Sequence, residues 1–324
     1  MDEDDFIHRL ALQFPSVGDV IGIGDDCAVI PAGSDISWLI TTDALVEGVH
    51  FLKDQISPKD LGYKTIAVNV SDITAKGGVS KYAFLSIAVP KSIEMTWMNE
   101  YMEGIKEICN KWGILLLGGD TVGSKRDIFI NLTLVGTAPT KQIKYRDQAK
   151  TGDLICVTNY LGDSGGGLKA LQGGNTSDAP SLINEHFCPP VRPEFGPWLS
   201  AQAGVHAMMD VSDGLNCYLM HILRKSKKAA VINMEHVPIS EALKEACEKN
   251  GWDPLSIALT GGEDYCLLFT VCPTDFDRIQ NAFQKTFGMP LFTVGYIENP
   301  PERLIYRKQG AQVETNFSNF NHFQ

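Results

Sequence analysis

The sequence predicts an α+β chain made of two α/β units. Three observations lead there. Strand-like and helix-like segments alternate from about residue 36 onward, the texture turns polar and basic between residues 138 and 150, and 324 residues are enough for two ordinary cores. "SWLITTDALV" alternates as a strand and ends among acids, and "DLGYKTIAVNVSDITAKGG" carries an apolar helical face that stops at Gly77-Gly78. "YAFLSIAVP" reads as a strand, "TWMNEYMEGIKEICNKWG" as a helix closed by Gly113, "ILLLGGD" as a buried strand, and "DIFINLTLVGTAP" as a strand by its alternation. "APTKQIKYRDQAKTGD" is the expected crossing, which divides the chain into residues 1–140 and 141–324. The second unit opens with the strand "DLICVTNY". It continues through "LGDSGGG", a helix, the proline-rich "NEHFCPPVRPEFGP", then "AMMDVSDGL", a helix and the strand "GGEDYCLLFTV".

Composition narrows the function. A formal charge of −11 lacks the basic footprint of a general nucleic-acid binder. The eight cysteines are scattered with no C-x-x-C, so neither a zinc site nor a disulfide framework is expected. "MDEDDFIHRL" is acidic where a secretory signal is basic, and no apolar run approaches the roughly 20 residues that span a bilayer. A cytoplasmic protein, with no membrane partner, is expected.

Acids recur at seams between apolar segments and turns: Asp25 and Asp26 in "GIGDDCAVI", Asp43, Asp72, Asp120, and Asp210 with Asp213 in "MDVSDGL". Taken singly, each reads as a turn or capping aspartate. Taken together they suggest carboxylates gathered at a partly buried site, where cations must neutralise them. Hard oxygen donors with neighbouring hydroxyls favour Mg²⁺ shared with phosphate oxygens. The chain has no G-x-x-x-x-G-K-[ST] loop, no dinucleotide-binding G-x-G-x-x-G and no protein-kinase motif set. A nucleotide would therefore be held through Mg²⁺, backbone amides near Gly118 and Gly119, and a few basic side chains. Arg146 lies in a run with Lys141, Lys144 and Lys150, which is either a solvated linker or a guanidinium aimed at phosphates. "GDSGGGL" is read as a tight turn into a helix rather than a phosphate loop. "HFCPPVRPEFGP" is either a rigid connection or a border of the substrate site.

"GIGDDCAVI", "TTDALVEGVHF", "AVNVSDITAKGG", "GGDTVGS", "MDVSDGL" and "LTGGEDYCLLFTV", in this order, resemble thiamine-monophosphate kinase, over roughly residues 4 to 323. That family belongs to the superfamily of aminoimidazole ribonucleotide synthetase and selenophosphate synthetase. The resemblance implies ATP-dependent phosphorylation of thiamine monophosphate to thiamine diphosphate, the last step of that cofactor's synthesis. It also implies an N-terminal sheet-and-helix domain that pairs across a homodimer, a C-terminal sheet-and-helix domain, and a nucleotide cleft between domains. Carried over residue by residue, it makes Asp26, Thr41, Thr42, Asp43, Asp72, Asp120, Asp210 and Asp213 the metal ligands. Gly119, Asp120, Arg146 and Ser212 become ATP contacts, and His50 and Glu263 substrate contacts. Asp25 is either a ligand or the residue that orients the turn.

The chain departs from the family in two places. Val122-Gly123 stand where a polar or basic residue is common, and Phe317 stands where relatives carry a tryptophan against the substrate ring. Phe317 could still stack on a cationic thiazolium, with Phe320 as the alternative. The acceptor is itself a phosphate, so no general base is expected. Two other readings remain: a sister enzyme of the superfamily acting on another acceptor, and a catalytically silent nucleotide sensor.

Overall fold

The computed structural model describes residues 3–315 and residue 317, so Phe320 lies outside the described residues. The chain divides into two compact units. One is Leu10–Ile143 with Phe187–Pro197, and the other is Lys144–His186 with the chain from Trp198 onward and the first residues to Arg9.

Helix α1 (Glu3–Gln13) opens the chain, and the first unit then runs β1 (Ala28–Pro31), β2 (Ile36–Val46), α2 (Pro58–Ala75), β3 (Val79–Pro90), α3 (Met95–Trp112), β4 (Leu115–Ser124) and β5 (Phe129–Pro139). The strands form one sheet in the order β1-β2-β5-β3-β4, antiparallel except for the parallel pair β3 and β4. Helix α2 starts where Ser57 Oγ accepts the Asp60 N–H at 3.0 Å and Pro58 supplies a first-turn residue that needs no donor. It lies against β2 and β5 and beside α3, with Ile66, Val70 and Ile73 fully buried, each worth about 1.5–3 kcal/mol of burial. Gly113 ends α3 in the left-handed conformation at φ 68° and donates to Cys109 O.

Strand β4 corrects the expectation of a buried strand. Ile114 just before it is buried, but Leu115 is 58% exposed and Leu117 55%. An apolar run records that a surface is covered, not that the same chain covers it, and β4 is an edge strand with one neighbour.

The proline-rich segment belongs to this unit and docks on α2. Tyr63 OH donates to Pro189 O at 2.9 Å, and Cys188 Sγ lies 3.4 Å from Asp60 Oδ1.

From Lys144 the chain runs β6 (Leu154–Val157), α4 (Asp163–Gly173), α5 (Pro180–Phe187), α6 (Phe195–Ser200), β7 (Val205–Asp210), α7 (Leu215–Ser226), β8 (Ala229–Asn233), α8 (Glu241–Asn250), α9 (Pro254–Thr260), β9 (Leu267–Val271), α10 (Pro273–Phe287), β10 (Phe292–Glu298), β11 (Leu304–Lys308) and β12 (Ala311–Val313), which make up the second unit save for Phe187 of α5 and Phe195–Pro197 of α6. Its sheet has the order β12-β11-β8-β10-β6-β9-β7, antiparallel except for β11 with β8. Val157, Met209, Ile232, Leu268 and Val294 from the strands meet Leu219, Ile222 and Leu223 of α7 in one apolar core.

The segment "GDSGGGL" turns into a helix as expected, with its later glycines inside α4. Gly162 caps α4 in the left-handed conformation at φ 87°, while a Cβ on Gly167 would sit 2.2 Å from Leu182 O. These glycines let helices approach closely rather than cradle a phosphate. Among the described residues, no helix is long and apolar enough to cross a membrane.

Candidate active site

In the first unit the acids approach one another around Cys27. Asp26 and Asp72 both act on this thiol, whose pKa is driven well up, first by burial and then by Asp72 and Asp26. Strand alternation puts Thr41 and Asp43 on one face of β2 and Thr42 on the other. Thr41 Oγ1 donates to Asp72 Oδ2 at 2.5 Å, which ties β2 to α2 through a candidate ligand pair. Asp43 holds its backbone N–H on Asn69 Oδ1 at 3.2 Å. Thr42 joins Asn131 Nδ2, at 3.1 Å, and Thr133 Oγ1, at 3.2 Å, on the exposed face of the sheet, so its side chain is turned away from that of Thr41.

Sequence reasoning missed Lys76. This residue ends α2, and its side chain is fully buried between the adjacent acids. Its ammonium pairs with Asp25 and lies 2.8 Å from Asp26 Oδ2. Asp25 Oδ1 also accepts the Asp26 N–H at 3.0 Å, so Asp25 shapes the turn that presents Asp26. Two neighbouring carboxylates are thus tolerated because a buried cation already sits between them. No local sequence signal marks this role, since the lysine is brought 51 positions back along the chain.

Asp120 and Gly119 sit on the exposed edge strand β4. Asp120 Oδ1 accepts the Thr121 N–H at 2.9 Å and is in register with Ser86. Gly119 is required there, because at φ 150° a Cβ would fall 1.6 Å from Leu85 O. His50 Nδ1 accepts the Val46 N–H at 3.1 Å, which leaves the ring proton on Nε2.

In the second unit Asp210 ends β7, and the turn Val211–Gly214 leads into α7. Ser212 Oγ–H donates to Tyr218 OH, which donates in turn to Asp213 Oδ2 at 3.0 Å. Burial, then Asp213 and Asp210, push the Tyr218 hydroxyl pKa well up, while the charge of Arg146 pulls it down. Arg146 is therefore close to the same cluster. Tyr218, one turn into α7, is a second residue that sequence reasoning missed. Glu263 Oε2 lies 3.0 Å from His186 Nδ1, and Glu263 adopts a left-handed φ of 65°. Phe317 packs edge-on against Tyr306, ring centroids 5.3 Å apart, at the margin of the apolar core.

The donors within each unit are carboxylates and hydroxyls. Asp26, Asp72 and Thr41 in one, and Asp210, Asp213 and Ser212 in the other, make the hard-oxygen chemistry that suits Mg²⁺.

Residues 24–138 match the family described as AIR synthase related protein, N-terminal domain, and residues 150–306 match its C-terminal domain. The chain is 36% identical to the thiamine-monophosphate kinase of Buchnera aphidicola (subsp. Acyrthosiphon pisum), over 96% of this chain and 95% of the relative. With the thiamine-monophosphate kinase of Escherichia coli K12 the identity is 34%, over 94% and 92%. Among solved structures, AaThiL complexed with AMPPCP and TMP superposes with a TM-score of 0.86 at 33% identity, covering 99% of this chain and 97% of that one. Thiamine monophosphate kinase from Aquifex aeolicus gives a TM-score of 0.81 at 31% identity, over 97% and 100%. With both halves matched and the likeness running almost end to end, the chain belongs to the thiamine-monophosphate kinase family of AIR synthase related proteins.

Proposed function

We propose that the chain transfers the terminal phosphoryl group of ATP to the phosphate of thiamine monophosphate, giving thiamine diphosphate and ADP. The observation that carries this reading is the nearly full-length likeness to thiamine-monophosphate kinases, one of them solved with AMPPCP and TMP.

The chemistry of the residues agrees with it. A phosphate monoester has its second pKa near about 6, so the acceptor oxygen is ionised at neutral pH and needs no base to activate it. The obstacle is the mutual repulsion of two polyanions, and positioning with charge neutralisation removes it. Mg²⁺, when bound, supplies that neutralisation. Asp26, Asp43, Asp72, Asp120, Asp210 and Asp213 are proposed to hold it, with Thr41 through its hydroxyl and Thr42 through its backbone carbonyl. Gly119 and Asp120 on β4, Ser212 before α7 and the Arg146 guanidinium are proposed to bind ATP. His50, with its proton on Nε2, is proposed to donate to the acceptor phosphate. Glu263, an anion, would face the cationic ring system, and Phe317 its flat face. Transfer is direct and in line, with no phosphoenzyme.

The first unit, Leu10–Ile143 with Phe187–Pro197, is proposed as the ATP- and metal-binding and dimerisation domain and the second as its C-terminal companion, in place of the simple division into 1–140 and 141–324. Leu115, Leu117 and Val122 on the open edge of β4 are the apolar surface that a second copy would cover in a homodimer. A monomeric mass by light scattering would overturn that pairing. A cytoplasmic location without nucleic-acid or membrane partners is proposed from the charge and composition.

The test uses purified chain with ATP and Mg²⁺, offered thiamine monophosphate and, separately, thiamine, with the product identified by mass. Thiamine diphosphate is expected from thiamine monophosphate only. Product from thiamine alone, turnover without a divalent ion, or a covalent phospho-protein would each overturn part of the reading.

A further inference from the structure

The loop between α9 and β9 is held in a shape that side chains resist. Glu263 and Tyr265 both have left-handed φ, 65° and 45°, on either side of Asp264. Such backbone persists only where surrounding contacts over-determine it, and it concentrates at functional sites. Here the contacts are explicit. Glu263 N–H donates to Ser212 O at 2.5 Å, Tyr265 N–H to Val211 O at 2.7 Å, and Val211 N–H returns to Cys266 O at 2.9 Å. The loop is thereby zipped to the turn that carries Ser212 and Asp213.

Asp264 fixes the loop from the other side. Its buried carboxylate accepts the Gly162 N–H at 2.8 Å and also a backbone hydrogen bond from Ser164, where α4 opens. The Ser164 side chain continues the circuit, with Oγ 3.0 Å from His186 Nδ1 on α5. The same Nδ1 is 3.0 Å from Glu263 Oε2. His186 and Ser164 are both buried, at 7% and 2% exposure, whereas Glu263 keeps about a fifth of its side chain exposed. Four residues from three segments therefore close a ring whose one open member is Glu263.

The arrangement is not a nucleophilic relay. A serine–histidine–acid relay uses opposite ring nitrogens, and here serine and acid share one. An ionised carboxylate only accepts, so the proton on that edge belongs to Nδ1, and His186 donates it to Glu263 with Ser164 as a second acceptor.

We propose that His186 is a positioning residue for thiamine monophosphate binding, aiming the Glu263 carboxylate at the cationic part of the substrate through its Nδ1–H. The proposal rests on Glu263 being a substrate contact. Losing a buried hydrogen bond to a charged group costs about tenfold or more in affinity when that group binds ligand. His186→Phe keeps a flat ring without the donor, and should raise KM for thiamine monophosphate about tenfold. KM for ATP and kcat should stay within about twofold, a split that a general structural defect would not produce. His186→Asn, whose amide nitrogen falls where Nδ1 was, should restore KM to within about threefold. Combining His186→Phe with Glu263→Gln should add less than about twofold to the loss from Glu263→Gln alone, because both act through one contact.

If Glu263→Gln leaves KM for thiamine monophosphate unchanged, the assignment of Glu263 fails and the proposal falls with it. If Glu263→Gln raises that KM but His186→Phe does not, or the two effects multiply, the positioning role alone is overturned. Should His186→Phe not fold, His186→Gln displaces the donor by one bond with less change in packing. It should still raise KM for thiamine monophosphate selectively, and an unchanged value would overturn the proposal.

Discussion

Replacing Lys76 with methionine removes a charge while keeping most of the side chain's volume. In the structure the ammonium is fully buried, 2.8 Å from Asp26 Oδ2 and paired also with Asp25, whose side chains are 1% and 9% exposed. At 2.8 Å and an effective dielectric of about 20, one such pair is worth about 6 kcal/mol of attraction, much of it offset by desolvation. Breaking a buried pair by deleting one partner costs about 3–5 kcal/mol, because the remaining charge stays buried. That corresponds to a fall of roughly 10 °C in melting temperature. The expected result by thermal melting in EDTA is a Lys76→Met transition lower by that amount. Mg²⁺ should then recover a larger part of the loss in the variant than it adds to the parent, since a divalent ion can compensate the same two carboxylates. A fall of less than about 2 °C in EDTA would mean that the ammonium does not balance the pair. An equal Mg²⁺ response in both proteins would mean that these acids do not bind the ion.

Asp43→Asn and Asp120→Asn should each lower kcat by about two orders of magnitude or more while leaving the circular dichroism spectrum unchanged, because each removes a full charge from a proposed metal ligand. Near-parental activity in either would remove that residue from the ligand set. Gly119→Ala should destabilise the first unit by about 1–3 kcal/mol or more through the collision of its Cβ with Leu85 O, whereas Gly118→Ala, with nothing within 4 Å, should stay within about 0.5 kcal/mol; denaturant titration compares them. Alkaline pH should weaken the fold. Burial pushes the Cys109 thiol up to about 11, and the Cys156 thiol and Tyr306 hydroxyl up to about 12. With the folded pKa above the unfolded one, the unfolded chain releases these protons first, so this stability is whole below about pH 9 and is lost as pH rises towards 12. Melting temperatures from pH 7 to 11 should be flat and then fall, and Cys156→Ala should make the fall shallower.

The elements read correctly from the sequence are those whose causes are local. The apolar face of "DLGYKTIAVNVSDITAKGG" makes α2, Gly113 stops α3, and the alternation of "SWLITTDALV" makes β2. The misreading of β4 has a physical reason, since it concerns what lies across from a segment. Leu115 and Leu117 are as apolar as core residues, yet nothing in the unit covers them. The glycines inside α4 serve close packing that sequence does not show, Gly165 against Gly261, Gly166 against Leu243 and Gly167 against Leu182 O. In the candidate site, the aspartates stood out because each lies at a seam beside small residues. Their partners did not. Lys76, Tyr218 and His186 are ordinary helix residues by pattern, and only the folded contacts with Asp26, Asp213 and Glu263 give them a role.

The half-buried acids are offset in two ways, by an ammonium and by hydroxyls. Asp25 and Asp26 face an ammonium, which supplies a unit of positive charge before any ion arrives. Asp72 and Asp213 are met by hydroxyls, from Thr41 and Tyr218. A hydroxyl satisfies one lone pair of a carboxylate without adding charge, whereas the Lys76 ammonium supplies a charge to Asp25 and Asp26 directly. Asp25, which also holds the Asp26 N–H, has the least to gain from Mg²⁺. As proposed metal ligands, Asp72 and Asp213 changed to Asn should raise the Mg²⁺ concentration for half-maximal activity by at least about tenfold, the effect of about 1.4 kcal/mol, while Asp25→Asn, at the residue paired with Lys76, should lower stability with a change of less than about threefold in that concentration. Activity measured across a Mg²⁺ titration, beside a melting curve for each variant, separates the two effects. If Asp25→Asn proved as demanding of Mg²⁺ as Asp72→Asn, the ammonium would not be compensating the Asp25–Asp26 pair, and the electrostatic division between Lys76 and the ion would have to be abandoned.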